Sequence, residues 1–152
     1  MNQLPHTVLK EIGFTLLAEG KILKIKADGY SMYPTIKPGS VIYIDRMDTG
    51  IEPAPGEIIA WKKEAGFVVH RLIRIVKNDG EALFITRGDS CLAEDQAFNS
   101  EQLAGKVINV ESVSGKMIPE SVYSNKRPHY RINRFKVWLL FKSRKLIRLF
   151  TE

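Results

Sequence analysis

The hydrophobic and polar positions fall into three regimes along the chain. Between Pro5 and Gly20, apolar Val8, Leu9, Ile12, Leu16 and Leu17 recur at helical spacing, which predicts a short amphipathic helix. From Lys21 onward the pattern changes to short β-branched runs with turn residues between them. Strands are expected at 21–27, 41–45, 57–62, 67–77, 82–87 and 106–113. Asn78-Asp79-Gly80 marks a hairpin after the fourth run, and Pro53-Ala54-Pro55-Gly56 feeds the strand that holds Trp61. After Pro128 helical periodicity returns, with Ile132, Phe135, Leu139, Leu146, Leu149 and Phe150 on one side and Asn133, Arg134, Arg144, Lys145 and Arg148 on the other. The separation is imperfect: Val137 and Phe141 fall on the polar side and Lys142 on the apolar one. The pattern predicts a mainly β protein: an N-terminal amphipathic helix over 1–20, a β-rich domain with a twisted, partly closed sheet over 21–115, and a basic, partly helical C-terminal tail over 116–152.

A length of 152 residues suits one domain with a single core, and 44% hydrophobic with 26% charged residues is ordinary for a globular chain. The net charge of +6 is placed unevenly: residues 126–152 hold nine Lys/Arg against Glu152 alone, so the tail carries +8 and the rest −2. Such asymmetry points to a tail that meets an anionic surface. Aromatic and leucine residues among the cations favour a helix lying in a membrane interface, with Arg134, Trp138, Phe141, Arg144, Lys145 and Arg148 as contact residues. The plain alternative is a helix packed on the β body. Nucleic acid is the less favoured partner, since no recognition motif accompanies the charge. Lys10, Glu11 and Glu19 interrupt the N-terminal apolar residues, so neither a signal peptide nor a membrane span is expected, and the chain reads as cytoplasmic or peripheral on a membrane. Cys91 is the lone cysteine, read as a small space-filler, and His6, His70 and His129 lack ligand-like spacing, so neither metal nor cofactor is expected.

The candidate chemistry centres on Ser31, set in Gly29-Tyr30-Ser31-Met32-Tyr33-Pro34-Thr35-Ile36-Lys37-Pro38-Gly39. A serine hydroxyl becomes a useful nucleophile only when a base takes its proton, and imidazole does so near neutral pH. His70 follows thirty-nine residues later in Val68-Val69-His70-Arg71-Leu72, where alternation along a strand puts Val68, His70 and Leu72 on one face. A carboxylate on the other ring nitrogen would fix the tautomer and stabilise the imidazolium, and Asp89 and Asp95 compete for that role. Backbone N–H groups around Ser31 offer an oxyanion site, and Gly29 would let the backbone approach a substrate. Loop serines and aspartates are common, and a surface serine with an edge-strand histidine is the structural alternative.

Several boxes together carry a resemblance. Residues 29–39 resemble the nucleophile box of type I signal peptidases, where serine-methionine stands shortly before Pro-Thr and a glycine-containing turn. Val69-His70-Arg71-Leu72-Ile73-Arg74-Ile75 is similar to the base-bearing strand of the endoplasmic-reticulum and archaeal branch, which uses histidine where the bacterial branch uses lysine. Phe84-Ile85-Thr86-Arg87-Gly88-Asp89 and Glu94-Asp95 are similar to that branch's Gly-Asp loop and acidic pair, and Ala104-Gly105-Lys106-Val107 to its closing strand. The resemblance covers roughly residues 25–110 and implies the signal-peptidase and SOS-repressor peptidase fold. It also implies a serine endopeptidase with Ser31 as nucleophile, His70 as general base, Asp95 as orienting acid and Asp89 as a supporting, structural acid. The substrate implied is a precursor protein or peptide with small residues at the cleavage site. The chain departs from the family at Gly29, where many members have a second serine, at Ser40, where an aspartate is usual, and in lacking a recognisable N-terminal membrane anchor.

Two other functions remain open on the sequence. A self-cleaving regulator like the SOS repressors would share the fold, and Ala104-Gly105 is the dipeptide they cut. Those proteins, however, use serine and lysine, and only about thirty residues precede Ser31. A non-catalytic module binding membrane or nucleic acid through its tail is the third reading.

Overall fold

A computed structural model describes residues 6–47, 50–63, 66–124 and 127–149, with residues 6–11 and 144–149 described in backbone only. Helix α1 (His6–Ala18) precedes strands β1 (Leu23–Lys26), β2 (Val41–Asp45), β3 (Ile58–Lys63), β4 (Gly66–Asn78) and β5 (Glu81–Arg87). A 3₁₀ turn (Ser100–Gln102) leads into β6 (Leu103–Glu111), followed by β7 (Met117–Pro119), a short α2 (Glu120–Tyr123) and the long α3 (Tyr130–Leu149). All pairings are antiparallel, in the order β1-β2-β6-β3-β4-β5, with β7 added beside β6.

Each expected strand is present, within a few residues of its predicted bounds. The hairpin between β4 and β5 turns on Asp79 and Gly80, both at positive φ (50° and 84°), the geometry whose twist matches its strands and which Asp-Gly adopts at low cost. One expectation is corrected: the sheet is open rather than partly closed. Strand β1 is only four residues long, and among the described residues β5 meets no further strand beyond a single bridge from Phe84 to Phe98, so the two edges are not joined. Strand β7 and α2, within residues expected in the tail, extend the body: β7 pairs with β6, and Tyr123 is buried among core residues.

Strand β3 shows why the core has two sides. Its run Ile58-Ile59-Ala60-Trp61 is buried throughout, with no polar alternation, because it lies in the middle of the sheet with both faces covered. Ile58 and Ala60 join Leu17, Leu23, Met32, Ile36, Ile42, Ile44, Val107 and Val110 on one face. Ile59 and Trp61 join Leu72, Phe84 and Phe98 on the other, where Trp61 and Phe98 stack with ring centroids 4.5 Å apart. Each such fully buried side chain contributes about 1.5–3 kcal/mol of transfer free energy. Helix α1 closes the first face: Leu17 is buried and Phe14 packs on Phe67 of β4 at 4.5 Å.

Helix α3 docks by the side that the periodicity marked as polar. Tyr130, Asn133, Val137 and Phe141 recur at three- and four-residue intervals and face the body. Asn133 and Val137 are buried, the Asn133 amide donates to the Asp89 carbonyl at 2.8 Å, and Phe141 meets Tyr30 edge-on at 5.0 Å. Val137 and Phe141, which had looked like breaks in the amphipathic pattern, are therefore the docking residues, and Ile132, Phe135 and Leu139 point away from the body. Among the described residues no helix is long and apolar enough to cross a membrane.

Candidate functional site

His70 sits in the interior strand β4, between β3 and β5, rather than on an edge. It is paired in register with Ile59, so its ring emerges on the same face as Trp61, Val68 and Leu72. Thr86 of β5 stands opposite Leu72 and reaches the same face. The chain then leaves β5, turns through Gly88-Asp89-Ser90, and returns so that the Asp95 amide donates to the Thr86 carbonyl at 2.8 Å.

These placements assemble a hydrogen-bonded row. The His70 Nδ1 lies 2.6 Å from Asp95 Oδ2. The Thr86 hydroxyl donates to the same oxygen at 2.7 Å and itself accepts from the Trp61 indole N–H at 3.1 Å. Burial pushes the Asp95 carboxyl up, but its bonds from His70 and Thr86 outweigh this and hold it below its ordinary value. An ionised Asp95 can only accept, so the imidazole donates through Nδ1, and Nε2 is the ring nitrogen turned away from the acid.

That nitrogen faces the serine loop. Residues 30–36 form turns, with the Tyr33 amide bonded to the Tyr30 carbonyl (3.0 Å) and the Ile36 amide to the Met32 carbonyl (2.9 Å). Met32 and Ile36 are buried core residues that anchor the loop on both sides of the cis Tyr33–Pro34 bond. Ser90 clamps it from outside: its amide donates to the Ser31 carbonyl at 2.8 Å and its hydroxyl to the Tyr30 carbonyl at 2.7 Å. Gly88 is the point of closest approach. A methyl carbon there would stand 2.7 Å from the Ser31 carbonyl oxygen, 2.7 Å from Cys91 Sγ and 3.1 Å from His70 Nε2. Only a glycine lets the base, the serine loop and the aspartate loop meet.

Ser31 and His70 line a common cleft of about 350 Å³, walled by Ile25, Ala27, Gly29, Met32 and Val69 among others. A side-chain carbon at Gly29 would meet only the Ser31 nitrogen, at 4.0 Å. Glycine is thus not required at that position by the protein's own packing.

Asp89 is placed elsewhere. It is fully buried and takes a two-pronged ion pair from Arg71, Nε to Oδ1 at 2.8 Å and Nη2 to Oδ2 at 2.7 Å, and it also accepts from the Thr35 hydroxyl. Arg71, on the opposite face of β4 from His70, continues to the carbonyls of Gly56 (2.7 Å) and Tyr123 (2.9 Å). This cluster ties the serine loop, the 88–95 loop, β4 and α2 together without reaching the His70 ring. Glu94 pairs with Arg74 at 2.7 Å on the surface. Burial and the nearby Asp95 charge push the Cys91 thiol up, which suits a packing role. No group of three or more candidate metal ligands occurs among the described residues.

Of the expected site residues, Ser31 and His70 line one cleft, Asp95 holds the His70 ring from behind it, and Asp89 is set apart. Trp138 and Arg134 are exposed on α3, Phe141 is shared with Tyr30, and the side chains of Arg144, Lys145 and Arg148 lie outside the described residues. Thr86, Trp61 and Gly88 were not singled out from the sequence. A threonine within a β-branched run carries no mark of the bond it makes. Comparison with protein-family models and with curated proteins finds no match for the chain.

Proposed function

We propose that the protein is a serine endopeptidase of signal-peptidase type, acting on a precursor protein or peptide. The observation that carries this reading is the imidazole of His70, held through Nδ1 by an ionised Asp95 at 2.6 Å, lining the same cleft as Ser31. In the reaction the Ser31 hydroxyl attacks the scissile carbonyl while His70 Nε2 takes its proton. Asp95 stabilises the resulting imidazolium, which then protonates the departing amine. Water hydrolyses the acyl-enzyme by the same proton path. Backbone N–H groups around Ser31 would serve the developing oxyanion. Positioned proton transfer of this kind contributes typically about 10²–10⁴-fold in rate.

Action on another chain is favoured over self-cleavage. The Ala104–Gly105 bond lies inside β6, with Gly105 paired to Ala60 and the site of its missing side chain 2.2 Å from the Asp45 carbonyl oxygen. Cutting there would require opening the centre of the sheet. The test is a mass-spectrometric comparison of protein N-termini in source cells carrying the native chain or Ser31→Ala. Precursors that persist only with Ser31→Ala support the reading and reveal the cleavage site, and identical N-termini with both chains expressed refute it.

A further inference from the structure

Docking of α3 through Tyr130, Asn133, Val137 and Phe141 leaves its other side unpartnered. Ile132, Phe135, Trp138 and Leu139 are between 49% and 59% exposed, unusual for side chains of this size on one short stretch, and Phe135 and Trp138 stack on each other at 5.6 Å. The charges on the helix itself have one sign. From Tyr130 to Leu149 the helix contains Arg131, Arg134, Lys136, Lys142, Arg144, Lys145 and Arg148, and no acid. The Lys142 ammonium lies 4.6 Å from the Trp138 ring centroid, so a cation and an aromatic ring share the same edge.

The apolar side continues onto the body. Leu92, 61% exposed in the loop between β5 and the 3₁₀ turn, and Ile132 border one open recess of about 760 Å³ whose other walls are Arg87, His129, Tyr130 and Arg131. Arg87 is fixed there, its guanidinium 3.6 Å above the Tyr130 ring and its Nε donating to the Cys91 carbonyl at 2.9 Å. A cationic recess thus opens beside an apolar ridge.

We infer that the outward face of α3, with Leu92 and the Arg87–Arg131 recess, docks onto an anionic phospholipid bilayer, the ridge entering the acyl boundary and the recess receiving a lipid phosphate. Exposed cations alone would suit nucleic acid equally. Ile132 and Leu139 in the ridge decide for lipid, since aliphatic side chains gain from an acyl environment and have no stacking role on bases. The docking does not depend on Ser31 chemistry. Its further consequence, that the cleft is held at the bilayer, does rest on the peptidase reading: the loop that brings Leu92 to the lipid face brings Asp95 to His70 three residues later.

The test is sedimentation of the full chain with vesicles of phosphatidylcholine containing about one-third phosphatidylglycerol, against vesicles of phosphatidylcholine alone. Binding to the anionic vesicles only is expected, with a blue shift of Trp138 emission, because the other tryptophan, Trp61, is already buried. The double variant Phe135→Ser/Leu139→Ser should bind about 25-fold more weakly, each side chain contributing on the order of fivefold on partial insertion. Both residues are exposed, so its melting temperature should match the native chain. Arg131→Gln should weaken anionic binding several-fold, and Ser31→Ala should leave it unchanged, which separates this inference from the catalytic one. Absence of binding, equal binding by the double variant, unshifted Trp138 emission in the bound state, or binding to a DNA duplex alone would each overturn it.

Discussion

Thr86 gives the sharpest test of how the histidine is held, because its hydroxyl is the only link between Trp61 and Asp95 described above. It accepts from the buried indole N–H at 3.1 Å and donates to Asp95 at 2.7 Å, and the residue is fully buried. Thr86→Val keeps the shape and removes both bonds. The orphaned indole N–H costs about 1–3 kcal/mol and the lost bond to an ionised carboxylate about 1.5–3 kcal/mol, so a destabilisation of about 2.5–6 kcal/mol is expected. That leaves a folded protein only if the total stability lies in the usual range of about 5–15 kcal/mol. Thr86→Ser keeps the hydroxyl and loses one methyl, costing about 1 kcal/mol. The two variants should also separate by pH. The folded Asp95 carboxyl titrates below its unfolded value of about 3.9, so its bonds contribute stability that is present above that pH and lost as pH falls through the folded value. Without the Thr86 hydroxyl the folded value moves up, and the stability gap between native and Thr86→Val chains should narrow below about pH 4. Urea unfolding across pH, with a carboxyl-carbon NMR titration of Asp95, measures both. An Asp95 titrating at or above its ordinary value in the native chain, or Val and Ser variants that behave alike, would refute the hydrogen-bonded row.

The two acids should fail in different ways. Asp95→Asn should unfold within about 1 kcal/mol of the native chain but lose about 10²–10⁴-fold in cleavage rate, since it disturbs the tautomer without emptying a buried site. Asp89→Ala strands the buried Arg71 guanidinium and should cost about 3–5 kcal/mol in chemical unfolding. The reverse pattern would exchange their roles. Gly88→Ala should lower the cleavage rate at least about tenfold and stability by about 1–3 kcal/mol, because its methyl overlaps the Ser31 carbonyl; native-like values in both assays would mean the loops are not tightly apposed. Gly29→Ser faces open space and should leave the urea midpoint nearly unchanged, while a cleavage rate above that of the native chain would place its hydroxyl beside the oxyanion. The intact mass of the purified chain should stay constant over days at raised pH, and release of a fragment ending at Ala104 would restore self-cleavage.

The strands were legible because their alternation is short-range: β2 lies at its expected bounds, and β4 places Val68, His70 and Leu72 on one face as period-two alternation requires. The open sheet was not legible, since closure depends on whether β1 and β5 meet, a long-range property that no local pattern encodes. The site was half legible. Ser31, His70 and the acidic pair stand out by residue type, whereas the choice of Asp95 over Asp89 depends on which face of β4 each loop residue meets. His70 and Arg71 are neighbours that point to opposite faces, so one strand sends a base to Asp95 and a guanidinium to Asp89. Thr86 and Gly88 stood only as members of the Gly-Asp loop box, because their separate roles exist only once three loops converge.

The tail illustrates that the apolar stripe of a helix need not be the side that docks on its own domain. An apolar stripe on a helix beside a β body is ordinarily the docking side, yet α3 docks through Asn133 and Val137 and turns Ile132, Phe135 and Leu139 outward. The physical reason lies in what the body offers. Its nearest surface is the 88–90 loop, whose Asp89 carbonyl needs a donor and whose Ser90 carries the Tyr30–Ser31 backbone, so a polar residue followed by a small apolar one fits where a phenylalanine ridge would leave that carbonyl unpaired. The helix is therefore shaped by two partners at once. Its narrow face is complementary to the loop that sets Ser31 against His70, and its broad face is free to be selected by something else. A mutation on the narrow face, such as Asn133→Leu, should loosen the serine loop and reduce cleavage while leaving Phe135 and Leu139 intact. Phe135→Ser/Leu139→Ser should spare cleavage of a soluble peptide. Cleavage and vesicle binding measured on both variants would show whether the two faces are independent, and loss of both activities in either variant would refute this division of the helix.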